Sequence, residues 1–177
     1  IAYGSGGNVY VAFERNNGSL SEIYLMQNTY YGNRPNWGYA GGGRISPPSY
    51  WNKHRPSVAA SHTSGVIVVT WEEEYSPTDY DIGYTYSMDT GGTWIAYPIY
   101  LARTYADERN PAIIVDDASN FHVTYWSNLS AGNRVNAIFY LEASSAAPES
   151  WSTAEQVMDD NGHASESFNQ PAIAVQQ

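Results

Sequence analysis

Tryptophan recurs with a fixed period in this chain: Trp37, Trp94 and Trp151 stand 57 residues apart. Each follows a turn-forming segment: Asn33 to Asn36, Asp89 to Thr93, and Ala147 to Ser150. A period of this length marks repeat architectures, in which one unit cannot bury its apolar face alone and must stack on its neighbours. The repeat therefore constrains the fold more than any local element does.

Other landmarks keep the same phase. Val9 to Phe13, Val66 to Trp71 and Phe121 to Trp126 are rich in β-branched and aromatic residues and read as one equivalent strand. Upstream lie Ile1 to Tyr3, Ser57 to Ala60, Ala112 to Val115 and Ala172 to Val175, three of them introduced by Pro56, Pro111 and Pro171. A proline at a strand's first residue gives up no ladder hydrogen bond. Downstream come Ile23 to Gln27, Ile82 to Ser87 and Ala137 to Leu141, then a weaker segment after each tryptophan. Four short antiparallel strands per period, with Gly, Asn, Asp and Ser turns and no helical period, predict an all-β fold of β-propeller blades. Stacked strands of a solenoid fit less well, because solenoid rungs are shorter and parallel.

The predicted blades cover residues 1–52, 53–108 and 109–168, with 169–177 opening a fourth. Propellers have about four to eight blades, and an incomplete ring leaves strand edges ready to pair. The expectation is that neighbouring sequence completes a ring of six or seven blades, the chain being a processed product or a piece of something longer. A homodimer closing six blades, or an assembly through the open edges, is the second possibility.

Composition narrows the partners. Eight lysines and arginines against 18 aspartates and glutamates give a formal charge of −10. Such a chain offers no basic stripe for nucleic acid, and an anionic membrane repels it. No segment approaches the roughly 18 apolar residues of a membrane span, and Ile1 to Gly4 lack the regions of a signal peptide. With no cysteine, disulfides and thiolate metal sites are excluded. The four histidines, His54, His62, His122 and His163, show no paired zinc spacing. Asp79-Tyr80-Asp81 and Asp116-Asp117 offer oxygen ligands that suit calcium, without the spacing of an EF-hand loop. No metal or other cofactor is expected beyond that. Gly41 to Gly43 precede no helix and form no phosphate loop. Two sequons, Asn17-Gly18-Ser19 and Asn128-Leu129-Ser130, lie in predicted loops.

Ser87-Met88-Asp89-Thr90-Gly91-Gly92-Thr93-Trp94 matches Ser-x-Asp-x-Gly-x-Thr-Trp, the Asp box or bacterial neuraminidase repeat. At this motif the chain resembles the sialidase superfamily of propellers. The match is complete in the second blade alone; around Trp37 and Trp151 only the tryptophan and a turn remain. Ser87, Asp89, Gly91, Thr93 and Trp94 are read as structural. The Asp89 carboxylate can accept backbone N–H bonds, glycine at 91 or 92 can take positive φ, and Trp94 can pack between sheets. The resemblance places the box on the face away from the catalytic centre, so Asp89 is expected to form a turn and not to catalyse.

In a propeller, the loops between blades and between second and third strands open on one face, and nearly all the charge falls there. The resemblance implies three arginines for a substrate carboxylate, a tyrosine nucleophile assisted by glutamate, and an aspartate acid/base. Arg55-Pro56 and Arg109-Asn110-Pro111 sit at blade entrances and loosely match the family's Arg-Ile-Pro element, without the isoleucine or the aromatic before it. Arg44 or Arg134 is the candidate third arginine, Tyr75 or Tyr80 the nucleophile, and Glu72, Glu73 or Asp107 the acid. The competing expectation, given more weight, is that Arg55 and Arg109 pair with carboxylates such as Asp107 and Glu108 and tie blades together. Trp71, Trp126, Tyr75, Tyr80 and Trp51 are the candidate platforms for a sugar ring, with Arg55 and Arg109 beside them.

These features predict a secreted or cell-surface propeller module that binds carbohydrate or another extracellular protein without catalysing a reaction. A glycoside hydrolase of sialidase type, with part of its site on further blades, is the first alternative. A structural repeat of a surface assembly is the second. Convergence of three guanidiniums on one point would separate the enzyme from the binder.

Overall fold

The computed structural model describes residues 1–29, 36–128, 136–159 and 170–175. It contains three four-stranded antiparallel sheets and no α-helix among the described residues. The first sheet comprises β1 (Ala2–Tyr3), β2 (Val9–Asn16), β3 (Ser21–Asn28) and β4 (Trp37–Arg44). The second comprises β5 (Asn52–Ala60), β6 (Ile67–Ser76), β7 (Asp79–Ser87) and β8 (Ile99–Ala102). The third comprises β9 (Glu108–Val115), β10 (Asn120–Ser127), β11 (Ala137–Ser144) and β12 (Glu155–Asp159). Within every sheet spatial order follows chain order, the meander of a propeller blade. Ala172 to Val175, expected to open a fourth blade, join none of these sheets.

Alternation along the strands assigns each residue to one of two seams. Tyr10, Ile23, Leu25 and Ala40 of blade one pack with Val58, Ala60, Ile67, Val69 and Trp71 of blade two. The intervening residues of blade two, Ala59, Val66, Val68 and Tyr84, pack with Ile113, Val115, Phe121 and Val123 of blade three. Because both faces of blade two are covered, β6 carries the continuous run Ile67-Val68-Val69-Thr70-Trp71, where a one-sided strand would alternate. Each fully buried aliphatic chain here contributes about 1.5–3 kcal/mol by area.

The periodic tryptophans wedge one blade onto the preceding one. Trp94 packs on the first seam and Trp151 on the second, where its indole meets Tyr84 edge-on at 5.7 Å. Trp37, on blade one, is 38% exposed. The Trp94 wedge requires Gly41: a Cβ there would fall 2.4 Å from Trp94 Cδ1, and φ is +54°.

The segment Ser87 to Trp94 folds into a turn closed on one carboxylate. Asp89 Oδ1 accepts the Ser87 hydroxyl at 2.7 Å and the Thr93 N–H at 2.8 Å, while Oδ2 accepts the Thr93 hydroxyl at 2.8 Å. Ser87 Oγ accepts the Gly91 N–H at 2.9 Å, and Trp94 Nε1 donates to the Gly91 carbonyl at 3.1 Å. Thr90 and Gly91 take φ of 58° and 93°, so the left-handed backbone falls on 90 and 91. The Thr93 N–H, then the Ser87 hydroxyl, hold the Asp89 carboxyl below its usual range. No helix among the described residues is long and apolar enough to cross a membrane.

Candidate functional site

Two backbone irregularities build the charged face. Where β5 pairs with β6, and β9 with β10, the register slips beside Pro56 and Pro111, prolines that cannot donate to the ladder. The residues before them, Arg55 and Asn110, take φ of 50° and 54°. Left-handed backbone costs a non-glycine residue about 1–2 kcal/mol, and such strain concentrates at functional positions. Here the slip brings the Arg55 side chain and the Asn110 backbone N–H to one carboxylate. Glu72 Oε1 accepts the Arg55 guanidinium at 3.1 Å and the Asn110 N–H at 2.7 Å, while Arg55 also donates to Asn110 Oδ1 at 2.9 Å. Blades two and three are thereby joined through a buried glutamate.

Beside this knot a polar chain crosses all three blades. Glu14 of blade one lies 3.1 Å from His54 Nδ1, and His54 Nε2 lies 3.5 Å from Glu74. Glu74 accepts from Asn52 at 2.9 Å and from the Tyr80 hydroxyl, and these bonds, Asn52 foremost, hold its carboxyl below the usual range. The Tyr80 ring lies under the Arg109 guanidinium, 3.6 Å from its carbon, a cation–π stack. Arg109 Nε shares its proton between both oxygens of Asp107, each at 2.9 Å. Burial works against the Arg109 charge, but the bond and charge of Asp107 outweigh it, and its pKa is raised. Burial, then the Glu74 charge, pushes the Tyr80 phenol up, so it stays neutral at ordinary pH.

The expected residues sort accordingly. Arg55, Arg109, Glu72, Asp107 and Tyr80 do come together. Arg109 pairs with Asp107, whereas Glu108 takes no arginine: its Oε1 accepts the Thr104 hydroxyl. Glu72 is no exposed acid, since it is 1% exposed and occupied by Arg55 and Asn110. Trp71 is no sugar platform, being 1% exposed; its indole folds over Gly83 and donates to Glu73 Oε2 at 3.2 Å. A Cβ at Gly83 would lie 2.6 Å from Trp71 Nε1, so this inward rotamer depends on that glycine. Trp126 is half-buried opposite Arg109 in the β9–β10 ladder. Tyr75 is 43% exposed and packs on Trp51 with ring centroids 4.7 Å apart, forming an aromatic pair on this face.

Among the described residues, the candidate guanidiniums do not converge. Arg44 pairs with Glu22, Arg55 with Glu72, Arg103 with Asp81 and Arg109 with Asp107, four carboxylates at four places. Arg134 and His163 lie outside the described residues. His122 bonds Tyr140 and Asp116, and Asp116 also holds Asn120. Among the described residues, no group of three or more His, Asp or Glu is arranged to hold a metal ion.

A second cluster, of which the sequence offered only Tyr75 and the Asp79 and Asp81 carboxylates as separate candidates, comes together in the structure. Tyr75, Asp79, Asp81, Arg103, Thr104 and Tyr105 line a cavity of about 360 Å³ on blade two, under the loop leading to blade three. Burial foremost, with the charge of Asp79 next, raises the Asp81 carboxyl to about 6. Glu108, 1% exposed, is raised to about 7 by burial, opposed by its bond from Thr104 and reinforced by Asp81. In the sequence, Asp79 and Asp81 read as oxygen ligands that suit calcium and Glu108 as a loop acid to pair with arginine. Their burial arises only when blades two and three meet.

No protein-family profile and no curated protein matches this chain. Solved structures do. An alpha-L-arabinanase from Penicillium chrysogenum, complexed with arabinobiose, aligns over 88% of this chain and 46% of its own, with TM-score 0.54 and 13% identity. A GH62 hydrolase in complex with xylotriose aligns over 89% of this chain and 50% of its own, with TM-score 0.51 and 12% identity. At these identities the likeness is one of fold: the chain has a β-propeller architecture, shared with these two structures, neither of which is a sialidase. It spans about half the length of the structures it matches.

Proposed function

We propose that the charged face of this propeller recognises carbohydrate, and that the chain is the recognition part of a carbohydrate-active protein. The observation that carries the reading is the fixed series Glu14, His54, Glu74, Tyr80, Arg109 and Asp107, which sets donors and acceptors side by side across three blades. A polyhydroxylated ligand needs such a pre-set array, because sugar hydroxyls must replace their water bonds one for one. The Trp51–Tyr75 pair supplies an apolar surface for ring C–H groups. Neutral oligosaccharides, such as the arabinobiose and xylotriose bound by the fold neighbours, are the first ligands to try. Sialic acid is not the ligand we favour, since Arg44, Arg55, Arg103 and Arg109 each lie beside a different carboxylate and Arg15 stacks on Tyr24. A secreted or cell-surface location fits a polymeric carbohydrate.

Calorimetric titration with arabinobiose and xylotriose, beside sialyllactose, tests the reading. Saturable binding of a neutral sugar is expected, weakened at least tenfold by Arg109→Ala with the circular dichroism unchanged. Binding of sialyllactose alone, or a neutral-sugar affinity indifferent to Arg109, would overturn it.

A hydrolytic reading is favoured by Asp81, a carboxyl that opens on a cavity and stays largely protonated up to about pH 6, as a general acid must. Release of reducing ends from arabinan or xylan, lost in Asp81→Asn, is its expected signature. Intact polymer after prolonged incubation counts against it.

A further inference from the structure

The blade-two cavity adjoins the Glu14-to-Asp107 series: the charge of Asp107 helps to raise the Asp79 carboxyl in its wall, and Tyr75 of the Trp51–Tyr75 pair lines it. We propose that it is a subsite for one neutral sugar unit, and that its wall charges exclude acidic sugars. This rests on the reading of the charged face as a carbohydrate surface and adds a location and a charge class to it.

Its volume, about 360 Å³, falls at the low end of the roughly 300–1,000 Å³ typical of small-ligand pockets. Tyr75 and the fully exposed Tyr105 stand at the wall, a ring surface with no packing partner for Tyr105 in the fold. Arg103 is held between the Tyr100 and Tyr75 rings, 4.7 and 5.7 Å from their centroids. Its nearest carboxylate, Asp81 Oδ2, is 3.5 Å away, too long for a strong charge-assisted bond. The half-exposed guanidinium is thus positioned by stacking and keeps N–H donors for a ligand.

The acceptors are equally unspent. Asp79 Oδ1 and Asp81 Oδ1 are buried and accept no hydrogen bond, although Asp81 as a whole is only 3% exposed. A buried carboxyl oxygen without a donor is expensive. A ligand rich in hydroxyls provides donors to that wall and acceptors to Arg103. Water alone provides the same bonds but nothing for the two tyrosine rings.

Charge then selects the class of sugar. Two carboxyls face one guanidinium in the cavity wall, with Glu73 and Glu108 behind them and Asp107, already paired with Arg109, beside Asp79. An anionic sugar would bring a further negative charge to this low-dielectric corner, where screening is weak. A neutral unit meets no such repulsion.

Titrations at pH 8, above the value of about 6 for Asp81, compare xylotriose with trigalacturonate, and amide NMR shifts locate the contact. Xylotriose is expected to bind with shifts at residues 75, 79, 81 and 103–105, and Tyr105→Ala to weaken it about three- to tenfold. Trigalacturonate is expected to bind the wild-type chain at least tenfold more weakly. The double variant Asp79→Asn/Asp81→Asn is expected to recover that deficit while changing xylotriose affinity less. Equal affinity for the two sugars in the wild-type chain would overturn the charge selection. If Tyr105→Ala and Arg103→Ala leave xylotriose affinity untouched while Arg109→Ala abolishes it, the cavity is no subsite although the face binds sugar. If neither sugar binds, this proposal falls together with the reading it rests on.

Discussion

Replacing Glu108 by glutamine should make the chain more stable at pH 8 and abolish part of its pH dependence. Glu108 sits at the start of β9, where blade three meets blade two, with Oε1 bonded by Thr104 and Oε2 buried without a donor. Burial foremost, then the charges of Asp81 and Asp79, raise its pKa from 4.5 to about 7. The fold therefore prefers the neutral acid. Stability from this preference is complete below the unfolded pKa near 4.5 and is lost as pH rises through about 7. At about 1.4 kcal/mol per tenfold change in proton affinity, the displacement amounts to about 3 kcal/mol between pH 4.5 and pH 8. Coupling to Asp81, itself raised to about 6, makes about 3 kcal/mol an upper figure and 1–3 kcal/mol the expected range. Urea unfolding at pH 4.5, 6, 7 and 8 reads the difference between wild type and Glu108→Gln, so that the histidines common to both cancel. The variant should equal the wild type, or fall slightly below it, at pH 4.5 and exceed it at pH 8. A difference that is flat across this range, or that grows toward acid, would refute the burial argument.

Three further outcomes follow from the packing. Gly41→Ala should cost about 2–4 kcal/mol in denaturant unfolding, because the added methyl meets Trp94 at 2.4 Å on a left-handed backbone; an unchanged midpoint would mean that Trp94 does not wedge the seam. Asp89→Ala should destabilise by about 1–3 kcal/mol at pH 7 by stripping three hydrogen bonds from the turn. Because the Asp89 pKa is depressed, its contribution is present above the ordinary carboxylate value near 4 and fades as pH falls through the depressed one. The penalty measured at pH 7 should therefore shrink in strong acid, and a constant penalty would contradict it. Trp71→Ala should cost about 3–5 kcal/mol while leaving sugar affinity of the folded protein unchanged; lost affinity without lost stability would restore Trp71 as a platform.

The strands were readable because their determinants are local. The runs Val9 to Phe13, Val66 to Trp71 and Phe121 to Trp126 each became the second strand of a sheet, and the prolines at 56 and 111 lie where the register slips. Reading Trp71 as a platform failed for an instructive reason. A strand-end tryptophan beside three glutamates looks like a sugar site, but Gly83, opposite it in β7, offers a hollow that the indole fills. Arg55 and Arg109 were legible as members of one face, since both lie at blade entrances. Their partners were not: Arg55 was expected to meet loop acids and instead shares Glu72 with the backbone of Asn110.

The sequence by itself determined the repeat, the four strands per blade and the side on which charge collects, because period, alternation and turn chemistry act over neighbouring residues. Only the tertiary structure decided which charges are buried. Asp79, Asp81 and Glu108 become a cavity and a proton-holding seam when blade three closes over blade two, and Tyr80 acquires Arg109 from a strand 29 positions away. Desolvation depends on what stands opposite a residue across a seam, and that neighbour is set by how whole sheets pack rather than by the residues adjacent in the chain.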